Sequence, residues 1–326
     1  MRKTRVDTIL FILLLLGIFF LFFAGPDYYA SRSYKRIWDQ GHIVLYTFLT
    51  VILLRRWDFL KRQTPVVQFL VLVVITLFTG IFLEFIQQKF SRFSEFGDVW
   101  RDFLGCLAGW AFFSSNTKHR VRQIFTIRLL VILLILVELF APFTAVVDEI
   151  WSRYQFPVLS RFETPFETER WESKEVKTRT TDLAFEGKHS LRVSLSTEQY
   201  SGVFLKYFPQ NWEGWDSLFF AVYNPLSSSL NLTCRIHDAQ HVVNGQLYED
   251  RFNRRLILHP GWNQLKVSLE DVRTAPRNRL MQLNKIASFG IFVVQLSSPI
   301  DIFIDDIRLV RSTSKLPSIT SPKNKN

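Results

Sequence analysis

Residues Leu83–Trp110 read LEFIQQKFSRFSEFGDVWRDFLGCLAGW, and they place polar groups at the junction of two long apolar runs. Glu84 and Gln87 are spaced i, i+3, on one helical face at the end of the first run. Asp98, Asp102, Gly105 and Gly109 follow at i, i+4, i+7 and i+11, again on one face, at the start of the second. Arg92 lies between them. A carboxylate within a bilayer-spanning helix costs about 2.5–3.5 kcal/mol on insertion scales, so it faces a partner or a wet cavity. The spacing therefore predicts one polar cluster shared by two antiparallel membrane helices, joined by the short stretch from Gln88 to Gly97.

The same residues resemble the VanZ-like membrane family, whose signature is roughly E-x-x-Q, then Arg, then D-x-x-x-N-x-x-G-x-x-x-G. Glu84, Gln87, Arg92, Asp98, Gly105 and Gly109 match, while Asp102 stands where the family usually has Asn. The family's upstream D-K-x-x-H has a shorter counterpart without the Lys, Asp39-Gln40-Gly41-His42. The resemblance spans about the first 115 residues. It implies an intramembrane polar cluster of Asp39, His42, Glu84, Gln87, Arg92, Asp98 and Asp102.

The apolar residues crowd into the first half of the chain. Segments near 8–24, 65–86, 99–114 and 126–146 are long enough to span a bilayer, and a shorter one near 42–54 spans with its flanks. The expectation is an all-α transmembrane bundle of about five spans over 1–150. Basic residues set the orientation. Arg2, Lys3 and Arg5 precede the first span, Arg55, Arg56, Lys61 and Arg62 fill the second loop, and Lys118, Arg120, Arg122 and Arg128 fill the fourth. The reading is a multi-pass protein of the inner (cytoplasmic) membrane, with its N-terminus cytoplasmic and its C-terminal domain extracytoplasmic. The net charge of +11 sits largely in these loops, so it speaks for topology and not for nucleic acid. Cys106 and Cys234 support neither a disulfide framework nor a cysteine metal site.

After Val147 the pattern changes to short alternating runs broken by turns. Leu191, Val193 and Leu195 alternate, as do Leu230, Leu232, Cys234 and Ile236. SLFFAVYN, RRLILHP, NQLKVSLEDV, FGIFVVQL and IDIFIDDIRLV continue the series. They predict an all-β jelly-roll sandwich over 155–312, followed by a disordered tail at 313–326 rich in Ser, Pro, Lys and Asn.

This half resembles the galactose-binding-like jelly rolls of carbohydrate-binding modules. The matching elements are Phe162-Glu163, Gly187-x-x-Ser190-Leu191, Trp212-x-Gly214-Trp215-Asp216, Pro260-Gly261-Trp262-Asn263 and Ile304-Asp305-Asp306-Ile307. The resemblance implies a glycan ligand and a structural calcium ion, with Glu163 and Asp306 as candidate ligands. Flat side chains stack on the C–H faces of sugars while rim polar groups take the hydroxyls. The candidates are Trp171, Tyr200 and Trp212, together with the polar and aromatic run Tyr248, Asp250, Arg251, Phe252 and Asn253. Trp215, Tyr223 and Trp262 read as core. Asp250 has a second reading as a surface partner of Arg254.

No nucleophile elbow, phosphate loop, HExxH or dinucleotide fingerprint is present. The leading reading is a non-enzymatic membrane protein that handles or senses an envelope lipid or glycan. Its partners would be a membrane lipid and a glycan or lipid-linked sugar. Some VanZ-like relatives are linked to glycopeptide-antibiotic resistance. Two alternatives stay open. One is an intramembrane enzyme acting on a lipid-linked sugar or phosphate, with Asp98 or Glu84 as acid/base and Arg92 as anion clamp. The other is a structural membrane anchor, its cluster and its Gly105-x-x-x-Gly109 face holding helices together.

Overall fold

The computed structural model describes residues 2–23, 25–27, 29–89, 96–114 and 121–311. They fall into two compact units, 1–146 and 147–326. The first is helical: α1 (Arg2–Phe23), α2 (Arg32–Asp39), α3 (Gly41–Arg56), α4 (Asp58–Lys61), α5 (Pro65–Lys89), α6 (Phe96–Phe113) and α7 (Val121–Gln155), the last continuing into the second unit. Among the described residues three helical stretches are long and apolar enough to cross a membrane: Arg32–Arg56, Pro65–Leu83 and Gln123–Gln155. The segment expected near 42–54 thus belongs to a longer run, because α2 leads into α3 with only Gln40 between. Helix α1 carries a shorter apolar stretch, Phe11–Phe20, and α6 has 18 residues.

Local chemistry explains the helix boundaries. Pro65 opens α5, where its missing N–H costs nothing, and the Thr64 hydroxyl accepts from the N–H of Val67 at 3.4 Å. Asp98 lies in the first turn of α6, where the helix dipole favours a carboxylate. Between helices, buried polar groups bond to backbone. Gln68 donates to the Leu60 carbonyl at 2.8 Å, Trp110 to that of Pro65 at 3.0 Å and Arg128 to that of Ala111 at 2.9 Å.

Helix α6 packs against both α3 and α5. Its contact with α3 runs along Gly105 and Gly109. A Cβ at Gly105 would strike the Ile43 carbonyl, and one at Gly109 would lie 2.7 Å from Thr50 Cβ. The Thr47 hydroxyl donates to the carbonyls of Ile43, at 2.7 Å, and Gly105, at 3.1 Å. Small residues let the two backbones approach, which is how helices associate where burial from water supplies no drive.

The second unit is a two-sheet antiparallel sandwich. Its strands are β1 (Val158–Ser160), β2 (Trp171–Glu172), β3 (Val176–Thr180), β4 (Ser190–Leu195), β5 (Tyr200–Leu205), β6 (Ser217–Asn224), β7 (Leu230–Asp238), β8 (Phe252–Leu258), β9 (Gly261–Ser268), β10 (Ile286–Val294) and β11 (Ile300–Val310). The first sheet runs β3-β4-β11-β6-β9, with β1 added on β11, and the second runs β2-β5-β10-β7-β8. The alternating residues of β4 and β7 supply the core with Leu191, Val193, Leu195, Leu232, Cys234 and Ile236, at most 1% exposed.

Two short helices interrupt segments that read as strand or loop. Leu269–Thr274 forms α9 where NQLKVSLEDV reads as one strand, because the Ser268 hydroxyl caps it by accepting from Asp271 N. Ala239–Val243 forms α8, capped by Asp238. Within this unit Arg170 is fully buried and meets Asp148, at the end of α7, through Nε and a terminal nitrogen at 2.7–3.0 Å.

The α3–α6 contact predicts a difference between two glycines. Gly109→Ala lowers the thermal stability of the detergent-solubilised chain by about 1–3 kcal/mol, the usual cost of overpacking. Gly17→Ala, whose new methyl meets only the end of the Leu45 side chain, leaves it near the wild type. Equal melting curves for both variants would contradict the close approach.

Candidate functional site

Helices α3, α5, α6 and α7 build the polar cluster of the first unit. His42 Nδ1 lies 2.8 Å from Asp102 Oδ1, and its Nε2 lies 3.9 Å from Asp98 Oδ2. Asp98 also accepts from Arg101 at 2.7 Å, and Arg101 Nε stands 3.5 Å from Glu138 on α7. Trp100 Nε1 donates to the other Glu138 oxygen at 2.8 Å. Asp102 is 2% exposed and beside Gly80, where a Cβ would lie 2.8 Å from its carboxylate. Tyr46 donates to Thr79 at 3.2 Å and joins α3 to α5.

The imidazole therefore sits between two carboxylates one turn apart on α6. That arrangement holds helices in register and can exchange a proton between its members. Of the residues read from sequence, His42, Asp98 and Asp102 meet here, and Asp39 ends α2 half-buried. Arg92 lies outside the described residues, as do the side chains of Glu84 and Gln87. The arginine of the described cluster is Arg101. Glu138 was missed, although it is the lone acid of the apolar segment 126–146.

In the sandwich several expected glycan contacts are corrected. Trp171 is 2% exposed, Trp212 0% and Phe252 4%, all within the core, where no ring face is open to a sugar. Asp250 is also not free. Arg279 bonds it at 2.6 and 2.9 Å and Asp238 at 2.6 and 2.8 Å, tying the run before β8 to the end of β7. Hydrogen bonding from Arg279 holds the Asp250 carboxyl below its ordinary range. Arg254 pairs instead with Asp271 at 2.8 Å.

The two candidate calcium ligands carry different partners. Glu163 accepts the N–H groups of Lys188 and His189 at 2.7 and 3.0 Å, and Gly187, at φ +73°, has no room there for a Cβ. Asp306 is buried at φ 50° in the bulge of β11, with an Arg308 nitrogen 3.2 Å away. Among the described residues no group of three or more His, Cys, Asp or Glu side chains is arranged to hold a metal.

The outer face of the second sheet has a different character. Strand register sets one row across it: Phe204 on β5, Gly290 on β10, Arg235 on β7 and Asn253 on β8. The next row is Gly202, Phe292, Thr233 and Arg255. Gly290 leaves space that the Phe204 ring fills, and at Gly202 a Cβ would strike the Ile291 carbonyl and the Cα and Cβ of Phe292. The rings of Phe204 and Phe292 stack at 6.2 Å, and Tyr200, 62% exposed, meets Phe292 edge-on at 5.9 Å. The Arg235 guanidinium lies 6.0 Å from the Phe204 ring centre.

At the other end of the face, Arg251 lies over the ring of Tyr248 at 5.2 Å, and the tilted rings of His237 and His241 lie 4.8 Å apart. Ser288 is the register partner of His237. His237 Nδ1, Arg251 Nε, Asn253 Oδ1 and Ser288 Oγ are buried and make no hydrogen bond within the described chain. Burial, then the charges of Arg235, His241, Lys206 and Arg251, press the His237 pKa down from 6.5 to about 2. Tyr200, Tyr248, Arg251 and Asn253 were legible as candidates, whereas Phe204, Phe292, Arg235, His237 and Ser288 were not.

A polar groove of about 1020 Å³ is lined by Trp215, Asp216, Arg273 and Lys285 among others. Its one aromatic, Trp215, is already covered by Arg311 at 4.6 Å and by Phe156 at 5.7 Å. On the outer face of the first sheet, Tyr223 and Trp262 lie half-buried in an aromatic layer with Phe303 and Phe185, not in the core.

No protein-family model and no curated protein matches the chain. Among solved structures the C-terminal part is similar to a family 11 carbohydrate-binding module from Clostridium thermocellum, in complex with a β-1,3-1,4-mixed-linked tetrasaccharide. Identity is 15% and the TM-score 0.38, over 48% of this chain and 95% of that one. It is also similar to the CBM22-1 xylan-binding domain of Paenibacillus barcinonensis Xyn10C, at 17% identity and TM-score 0.33, over 48% of this chain and 95% of that one. An exo-β-agarase matches at 15% identity and TM-score 0.37, over 48% of this chain and 25% of the agarase chain.

Two outcomes follow from this geometry. Removing one partner of a buried pair strands the other, at about 3–5 kcal/mol. His42→Leu and Asp102→Leu should therefore each destabilise the solubilised chain more than the double variant does, and strict additivity in thermal unfolding would contradict the pair. In the sandwich, His237 is neutral when folded but titrates near 6.5 when unfolded. Its contribution is complete above pH 6.5 and is lost as pH falls toward 2. Between pH 6.5 and 5.5 this amounts to about 1 kcal/mol. The unfolding midpoint of the wild type should drop over that interval by more than that of His237→Gln; parallel curves would contradict it.

Proposed function

We propose that the chain is a multi-pass membrane protein whose sandwich binds a glycan across the outer face of its second sheet. The observation that carries this reading is the set of buried, unpartnered polar atoms on His237, Arg251, Asn253 and Ser288, beside the exposed and half-exposed rings of Tyr200, Phe204 and Phe292. Buried polar groups are almost always hydrogen-bonded, and isolated ones are costly. A saccharide supplies what both sets of groups lack: hydroxyls that donate and accept, and apolar ring faces that stack. Tyr248 and Arg251 form one rim of the face and Tyr200 another.

The helical unit anchors this domain in the cytoplasmic membrane. The distribution of Lys and Arg supports a cytoplasmic N-terminus and an extracytoplasmic sandwich, with α1 and α6 as spans beside the three longer ones. The likeness of Glu84, Gln87, Arg92, Asp98, Gly105 and Gly109 to the VanZ-like signature supports a role in handling or sensing an envelope lipid or lipid-linked sugar. For the cluster itself, the pairing of His42 with Asp102 and of Arg101 with Asp98 favours holding helices together over acid/base catalysis.

The test uses the full chain in detergent and a panel of soluble polysaccharides in affinity gel electrophoresis: mixed-linkage β-glucan, xylan, agarose and polygalacturonate. At least one should retard the protein. Phe204→Ala and Phe292→Ala should each weaken that retardation about tenfold, equivalent to ~1.4 kcal/mol. Trp262→Ala, on the other sheet, should leave it unchanged. Retardation insensitive to both Phe variants would contradict this face as the site.

A further inference from the structure

Resting on the reading that the helical unit spans a membrane, we infer that one end of the sandwich docks on the bilayer surface, where Val243, Leu247 and Leu280 form an apolar lip in the lipid headgroup layer. Strand register defines this end. Leu205 at the close of β5 pairs with Phe289, Asp238 at the close of β7 with Ile286, and Phe252 at the start of β8 with Ile236. In the first sheet Ser217 at the start of β6 pairs with Ser268 and Val310, the last residues of β9 and β11. Loop hydrogen bonds tie this end together: Trp212 N donates to the Leu283 carbonyl at 2.8 Å, and Leu269 N to that of Asp216 at 2.9 Å. The chain enters at the same end, since the Pro157 carbonyl accepts from Leu309 N at 3.0 Å.

Two loops at this end carry the lip. Val243 closes α8 and is 75% exposed, Leu247 follows it at 56%, and Leu280, between α9 and β10, is 54% exposed. The loops are fixed to one another. Gln246 N donates to the His241 carbonyl at 3.0 Å, Arg277 N to that of Glu249 at 3.0 Å, and Arg279 clamps both Asp238 and Asp250. Single exposed apolar side chains are ordinary, but several on loops held together mark an interaction surface. Lipid is the occupant because the chain itself keeps this end near a bilayer. The apolar run of α7 gives way to Asp148 and Glu149, and its last residues, 147–155, rise about 14 Å. With Phe156 and Pro157 the entry point lies within about 20 Å of the hydrocarbon edge. Ile150, Trp151 and Tyr154 are exposed on that stretch, and Trp and Tyr are enriched where helices leave a membrane. Asp148 of α7 meets Arg170, directly before β2, while the lip adjoins β7 and β8. Strands β2 and β8 are opposite edges of the second sheet, so the two contacts fix the tilt of the domain. Tethering raises the effective concentration of the lip at the surface, and a small apolar area therefore suffices. In this pose the His237 end of the glycan face lies nearest the lipid and Tyr200 farthest from it.

The experiment reconstitutes the full chain in phosphatidylcholine nanodiscs, one copy in each. Cys106 and Cys234 are fully buried, so a maleimide fluorophore goes to a single introduced cysteine. Leu247→Cys and Leu280→Cys should lose most of their emission to lipids carrying a nitroxide just below the headgroup, and should be shielded from iodide. Ser298→Cys, at the opposite end of the sandwich, should show the reverse. Val137→Cys, within the apolar run of α7, reports the span itself. With the probe at Val243→Cys, Leu247→Ser combined with Leu280→Ser should abolish most of the lipid quenching. Lipid quenching of Val137→Cys but not of Leu247→Cys and Leu280→Cys would overturn the docking and leave the membrane reading standing. Absence of lipid quenching at Val137→Cys would overturn both. Equal lipid quenching of Ser298→Cys would contradict the end-on pose, and shielding of the lip from iodide without lipid quenching would mean that protein covers it; either result overturns the inference.

Discussion

The register of β10 between β5 and β7 is the constraint on which the sandwich site depends. It sets Gly290 opposite both Phe204 and Arg235. A slip of β10 by one residue would send Phe292 toward the core and bring Phe289 and Ile291 out. The missing side chain of Gly290 then lets the Phe204 ring lie on the sheet, and that of Gly202 lets β5 pass close to the β10 backbone at Ile291 and Phe292. The core packing of Ile236, Phe289 and Ile291 pins the register on the inner side, so stability and site geometry have one cause.

The helical unit obeys a comparable rule with different chemistry. Two glycines on α6 admit α3 to backbone contact, and that contact brings His42 to Asp102. Were the helices further apart, the carboxylate would face a largely apolar interior alone. Each charged group described in this cluster has an oppositely charged or hydrogen-bonding neighbour: His42 for Asp102, Arg101 for Asp98, and Trp100 for Glu138. The sandwich face differs in holding polar atoms that the described chain leaves unmatched. This contrast is why ligand binding is assigned to the sheet and helix association to the cluster.

Much of the fold was legible, because period-two alternation in β4 and β7 has one physical meaning, a strand with one buried side. The site was legible only where polar and aromatic residues coincide in a loop, as at Tyr248–Asn253. Phe204 and Phe292 lie in YSGVFL and FGIFVVQL, where apolar residues occupy both faces, so alternation cannot tell which ring is outside. Arg235 is hidden in the same way between Cys234 and Ile236. Trp171 and Trp212 misled because tryptophan serves a core as readily as a sugar site. The helix at Leu269–Thr274 had its signal, a Ser followed by acids in the first turn, but the apolar run before it masked the cap.

The central claim is that the outer face of the second sheet takes the ligand. Hydrogen-exchange mass spectrometry of the full chain, with and without a saturating polysaccharide that retards it, tests this most directly. Added protection should fall on β5, β10, β7 and the Tyr248–Asn253 turn, with β6, β9 and β11 unchanged. Protection centred on the first sheet, or on the groove around Trp215 and Lys285, would contradict the account.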